Sequence, residues 1–73
     1  MRTTYDRKAD AAYIQIAQEI RPGGVVRTYQ CDPAEAGGMI NLDFDAEGRL
    51  LGVEVLGAAN LLPIDVLEAS PSE

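Results

Sequence analysis

Histidine and tryptophan are absent from this chain, and cysteine occurs once, at Cys31. A disulfide framework within the chain and a Cys/His zinc site are therefore both excluded. Serine is confined to Ser70 and Ser72, at the C-terminal end, so the usual pairing of a nucleophile with a tunable base has no parts to draw on. Cys31, with no histidine to activate it, reads as a small buried hydrophobe. Basic residues are scarce as well: six Lys and Arg face twelve Asp and Glu, a formal charge of −6. Such a field repels phosphates and argues against a nucleic-acid partner, and the Arg7–Lys8 pair is too short a cluster to reverse it. No long apolar run is present and the opening MRTTYDRKAD lacks a secretory signal, so the expectation is a soluble, cytoplasmic protein with no membrane partner.

What the chain does have is apolar content, 47% of its 73 residues, with aromatic rings only at Tyr5, Tyr13, Tyr29 and Phe44. That length predicts one domain over residues 1–73, near the size at which a single core barely offsets the entropy of ordering the backbone. Support from outside the core is expected. With disulfides and Cys/His zinc removed and no cofactor indicated, self-association as a homodimer is the remaining source.

The clearest pattern starts after Gly38, where Ile40, Leu42 and Phe44 alternate with Asn41, Asp43 and Asp45. After Gly48, Leu51, Val53 and Val55 alternate with Leu50, Gly52, Glu54 and Leu56. Both runs have the period of a strand with one face buried, and D-A-E-G between them carries the chemistry of a hairpin turn. The same stretch also matches a calcium loop, with Asp43, Asp45, Glu47, Gly48 and Glu54 at positions 1, 3, 5, 6 and 12. Pairing Asp45 with Gly48 sets Phe44 opposite Arg49, Leu42 opposite Leu51 and Ile40 opposite Val53, so the apolar faces agree. Asp43 then faces Leu50, and Glu54 lies about 13 Å further along at ~3.3 Å per residue, too far for one ion. Glycines and β-branched residues also stand where an EF-hand needs its two helices. The stretch is expected to be a hairpin, with no metal.

Upstream, G-V-V-R-T-Y-Q-C at residues 24–31 reads as another strand, and D-P-A-E-A-G-G after it as a loop with one short helical turn starting at Asp32–Pro33. In the first twenty residues Ala9, Ala12, Tyr13, Ile16, Ala17 and Ile20 recur at helical spacing with Asp6 as an N-cap, whereas Y-I-Q-I alternates as a strand. The C-terminal A-A-N-L-L-P-I-D-V-L-E-A suits a short helix, with Pro63 in its first turn and Leu62, Val66 and Ala69 at helical spacing. Residues 68–73 read as a flexible tail.

T-Y-D-R-K-A-D-A-A-Y-I-Q-I near the start and L-D-F-D-A-E-G-R-L-L-G-V-E-V-L-G-A late in the chain, separated by the strand-like V-V-R-T-Y, resemble the domain-of-unknown-function 2283 family of small bacterial proteins. The resemblance implies a compact strand-rich fold whose first block is β, and it implies no activity. The fold expected is mainly β, bordering on α+β: a small antiparallel meander sheet of four to five strands with a short C-terminal helix.

Two functional readings remain. The carboxylate pairs Asp6/Asp10 and Asp43/Asp45 sit at turns or on a predicted solvent face, so a non-catalytic interaction module leads. Its acidic face of Asn41, Asp43, Asp45 and Glu47 suits a basic protein partner, as an antitoxin or inhibitor would present, and Leu50, Leu56 and Leu62 are the expected dimer interface. The alternative is a small enzyme or ligand binder with a carboxylate site at the dimer seam, which a deep pocket holding two buried carboxylates would favour.

Overall fold

The computed structural model describes residues 1–31 and 37–72. Among these, strands β1 (Arg2–Asp6), β2 (Ala11–Gln15), β3 (Arg27–Cys31), β4 (Met39–Phe44) and β5 (Leu50–Leu56) precede two short helices, α1 (Ala58–Leu61) and α2 (Ile64–Glu68). The strands form one open antiparallel sheet in the order β1-β2-β5-β4-β3. Two hairpin pieces, β1–β2 and β3–β4–β5, thus meet where β5 lies beside β2. The first block is strand rather than helix, because Ala12 and Ile14 pair with Val55 and Val53 and extend the apolar face of β5. No helix among the described residues is long and apolar enough to cross a membrane. The short helical turn expected at Asp32–Pro33 lies outside the described residues.

Both helices sit on one face of the sheet. The buried cluster joins Tyr5 of β1, Ala12 of β2 and Val55 of β5 to Ala58 of α1 and Leu67 of α2, with Val53, Leu61 and Leu62 packed against it. Two of the five buried residues are alanines, and this lets α1 approach the sheet closely. At α2 the helical spacing is offset from the expected one: Pro63 does precede the first turn, but Leu67 faces the core while Ala69 is exposed. Beyond α2 the Ser70 hydroxyl donates to the Val66 carbonyl at 2.7 Å, and the Tyr5 N–H donates to the Pro71 carbonyl at 3.0 Å.

The β4–β5 hairpin is present, but its register differs from the expected one in two steps. Asp45 donates its N–H to the carbonyl of Arg49, not Gly48, which leaves a three-residue loop closed by Gly48 at φ +81°. A bulge then moves the pairing by one more residue, from Phe44 opposite Leu50 to Asp43 opposite Gly52. Two single shifts restore the parity, so Leu42 meets Val53 and Ile40 meets Val55, and the apolar set stays on one face.

Candidate functional site

The face opposite the helices carries a belt of polar side chains that crosses four strands. Tyr13 of β2 lies across Gly52 of β5, where any side chain at residue 52 would collide with the tyrosine ring. Glycine at that position lets the Tyr13 hydroxyl reach β4, where it donates to Asp43 Oδ2 at 3.0 Å. Thr28 of β3 donates to the other oxygen of the same carboxylate at 2.8 Å. One strand position away, Asn41 donates to Glu54 Oε1 at 3.0 Å. Burial, then the hydrogen bond and charge of Asp43, and last the charge of Glu54 raise the Tyr13 pKa to about 12. Tyr13 therefore keeps its proton at neutral pH and acts as a donor that ties β2 to β4.

A second polar centre sits at the β1–β2 turn. Asp10 adopts φ +52°, a left-handed conformation that Asp tolerates better than most residues. Its carbonyl accepts the N–H groups of Gly57 and Ala58, and its carboxylate accepts the Ala59 N–H at 3.0 Å and the Tyr5 hydroxyl at 2.7 Å. These are the unpaired donors at the start of α1, whose own N-cap residue, Gly57, supplies no side chain. Asp10 thus caps a helix 49 positions away in sequence. The hydrogen bond to Asp10 is also the main reason the Tyr5 pKa lies above its ordinary value.

These placements correct several expectations about the carboxylates. Asp10 is a half-buried anchor, not a solvated turn residue, whereas Asp6 does close the turn by accepting from the N–H of Lys8 and Ala9. Asp43 and Glu54 are closer than the expected register allowed, since Glu54 lies only two residues beyond Gly52, the partner of Asp43. The hairpin reading rests instead on the strands that flank the loop where an EF-hand has helices, and on Asp45, whose carboxylate accepts the N–H groups of Glu47 and Arg49. Cys31 is half-buried at the end of β3.

The three expected interface leucines do not form one patch. The bulge places Leu50 opposite Phe44, on the helix-bearing face, while Leu56 stays on the polar face between Met39 and Ala11. Leu62 packs against the core beside α1. What the leucine pattern missed is a larger surface. No residue of β3 or β4 is buried, and on the helix-bearing face Ile40, Leu42 and Phe44 are only half covered. Beside them Tyr29 is 61% exposed, and Leu50 and Ile16 are also exposed. Among the described residues the helices pack over the β1–β2–β5 half of this face and leave the β4–β3 half without a helical layer, its β4 side chains half-buried and Tyr29 exposed. Strand alternation alone could have raised the question, because Tyr29 and Cys31 repeat the apolar phase of β4 while the helical segment is too short to span five strands.

The clefts are shallow. One of about 450 Å³ lies on the polar face between Arg2, Thr4, Tyr13, Gln15 and the Pro71–Ser72 segment, and holds no carboxylate. A second, of about 160 Å³, includes Asp6 and Glu54, of which the first is exposed and the second half-buried. No charged or polar residue is buried among the described residues.

A family model described as "Protein of unknown function (DUF2283)" matches residues 2–58, and the chain belongs to that family. Neither a curated protein nor a solved structure matches it.

Proposed function

We propose that this member of the DUF2283 family is a non-catalytic interaction module that works as a homodimer, associating through the β4–β3 half of its sheet and presenting its polar face outward. The observation that carries the reading is an area. The chain exposes 5129 Å². A monomeric globular protein of 7.8 kDa exposes about 4,400 Å² by the usual surface scaling, so the excess is about 700 Å². That is close to the ~800 Å² each partner contributes to a standard interface. The shape accounts for it: the molecule is a slab of 33 × 27 × 17 Å, with a helical layer over only part of one face.

The polar face supports the second half of the reading. Asp43 and Glu54 are held by neutral donors, Tyr13, Thr28 and Asn41, which fix the carboxylates without cancelling their charge. Among the described residues an ion pair joins Glu19 to Arg21, in the segment between β2 and β3, and none engages Asp43 or Glu54. An ordered surface of uncompensated carboxylates is suited to a basic protein partner. The enzyme alternative draws no support from the clefts, since neither holds two carboxylates away from water.

Sedimentation equilibrium over a wide range of chain concentration tests the reading. The expected result is a species of twice the chain mass at micromolar concentration. A single-chain mass at high micromolar concentration would overturn it.

A further inference from the structure

We infer that the two copies join edge to edge along β3, antiparallel, with Tyr29 on the two-fold axis, so that the two sheets become one of ten strands. This rests on the self-association proposed above and specifies how it is made.

The two edges of the sheet differ. At β1 the outward N–H of Tyr5 is already occupied by the Pro71 carbonyl. At β3, Arg27, Thr28, Tyr29 and Gln30 are all exposed, and the strand contains none of the usual guards against pairing: no proline, no lysine and no carboxylate. Its backbone polarity follows from the neighbouring strands. Asp45 turns its N–H toward β5, so alternation turns the backbone groups of Phe44 and Leu42 toward β3, and the Phe44 carbonyl accepts from Val26 there. Tyr29 stands opposite Leu42, whose backbone groups turn toward it, which makes the two a hydrogen-bonded pair by the antiparallel pattern. The N–H and C=O groups of Thr28 and Gln30 consequently point to the free edge.

A second copy fits that edge in one register. With Tyr29 on the axis, Thr28 stands opposite Gln30 of the partner subunit, and these are the residues on both chains whose backbone groups point outward. The Tyr29 side chains meet as the closer, non-hydrogen-bonded pair, about 4.5 Å apart at Cα, on the apolar side of the sheet. Arg27 falls opposite Cys31 of the partner subunit, so no like charges face each other. Charge favours the same approach. Each chain carries −6, but β3 has one arginine and no acid, so two copies meet there with less repulsion than along a carboxylate-bearing strand. The half-faces of both copies then lie side by side on one side of the joined sheet, in contact where the paired Tyr29 rings meet and otherwise open to solvent.

The register is tested by a single thiol. Tyr29→Cys is made in a Cys31→Ser background and exposed to oxidised glutathione, which takes up the two electrons as two thiols close to one disulfide. At about 4.5 Å between Cα atoms the pair meets disulfide geometry, and most of the chain should appear cross-linked on a non-reducing gel. Ala46→Cys in the same background, on the distant hairpin loop, should remain uncrosslinked. Native Cys31 should also fail to cross-link, because the two copies of it stand about 13 Å apart along the ladder, four residues at ~3.3 Å. A second variant, Gln30→Pro, removes an outward N–H that no bond among the described residues uses, and should abolish the dimer in sedimentation while keeping the far-ultraviolet spectrum of the sheet. If the parent sediments as a dimer yet Tyr29→Cys does not cross-link, or Gln30→Pro remains a full dimer, the edge pairing is wrong and the self-association stands. A monomeric parent overturns both.

Discussion

Asp10 is the residue whose loss should damage this fold most for its size. Asp10→Ala removes the acceptor of the Ala59 N–H and of the Tyr5 hydroxyl, and it places alanine at φ +52°. Losing a helix cap costs about 1 kcal/mol, and holding a residue with a Cβ and no polar side chain in the left-handed region costs about 1–2 kcal/mol. The sum, about 2–3 kcal/mol before the stranded Tyr5 hydroxyl is considered, is a large part of the ~4–11 kcal/mol expected for 73 residues. Asp10→Asn separates the contributions. Asparagine tolerates the same backbone conformation and keeps an oxygen acceptor, so it should cost about 1 kcal/mol or less. Urea unfolding followed by circular dichroism measures both, at one fixed chain concentration because association shifts the apparent stability. The reasoning fails if Asp10→Ala lies within about 0.5 kcal/mol of the parent, the range of an ordinary surface change. Equal losses for Asn and Ala would show that neither backbone tolerance nor the neutral acceptor matters.

Two further outcomes follow from the hairpin and the polar belt. Gly48 stands at φ +81° with open space where a Cβ would go, so Gly48→Val should cost about 1–2 kcal/mol from backbone strain alone and Gly48→Asn clearly less; equal unfolding midpoints for the two would refute this. Tyr13 is raised from its ordinary 10.0 to about 12, so between these values the folded chain holds a proton that the unfolded chain releases. Stability from this group is complete below pH 10 and is lost as pH climbs through 12, and Tyr13→Phe should flatten that alkaline decline. An unchanged alkaline slope in Tyr13→Phe would count against the raised pKa, and so against the burial of Tyr13 together with its Asp43 bond.

The period-two runs around Leu42 and Val53 made the hairpin legible, because a buried face needs only the right parity. Register was not legible to the residue. It depended on whether Asp45 closes on Gly48 or Arg49 and on a bulge beside Phe44, and each of these moves the pairing by one without any mark in composition. The same bulge separated Leu50 from Leu56, which strict alternation had placed together. The first block illustrates the opposite limit. Its helical spacing was real, yet Tyr5, Ala12 and Val55 form one buried cluster across three strands, and tertiary packing overrode local preference. Asp10 was visible only as a turn aspartate, since its partner at Ala59 is fixed by the sheet order and by no local pattern.

The two faces of the sheet also divide the problem of associating without aggregating. Hydrogen bonds from Tyr13, Thr28 and Asn41 order the carboxylates of the polar face but leave their negative charge, so two copies cannot stack through that face without like charges meeting. The helix-bearing face is covered on its β1–β2–β5 half, and the β1 edge is engaged at Tyr5 by the Pro71 carbonyl. Apolar contact is left to the β4–β3 half, and strand pairing to the adjoining β3 edge. Pairing through the β3 edge about a two-fold axis uses that edge on both copies and leaves outward only the β1 edges, where the Pro71 carbonyl already holds the Tyr5 N–H, so further growth is disfavoured. An acidic chain with one open edge can therefore expose apolar residues such as Tyr29 and Val26 and still reach a closed assembly rather than a fibre.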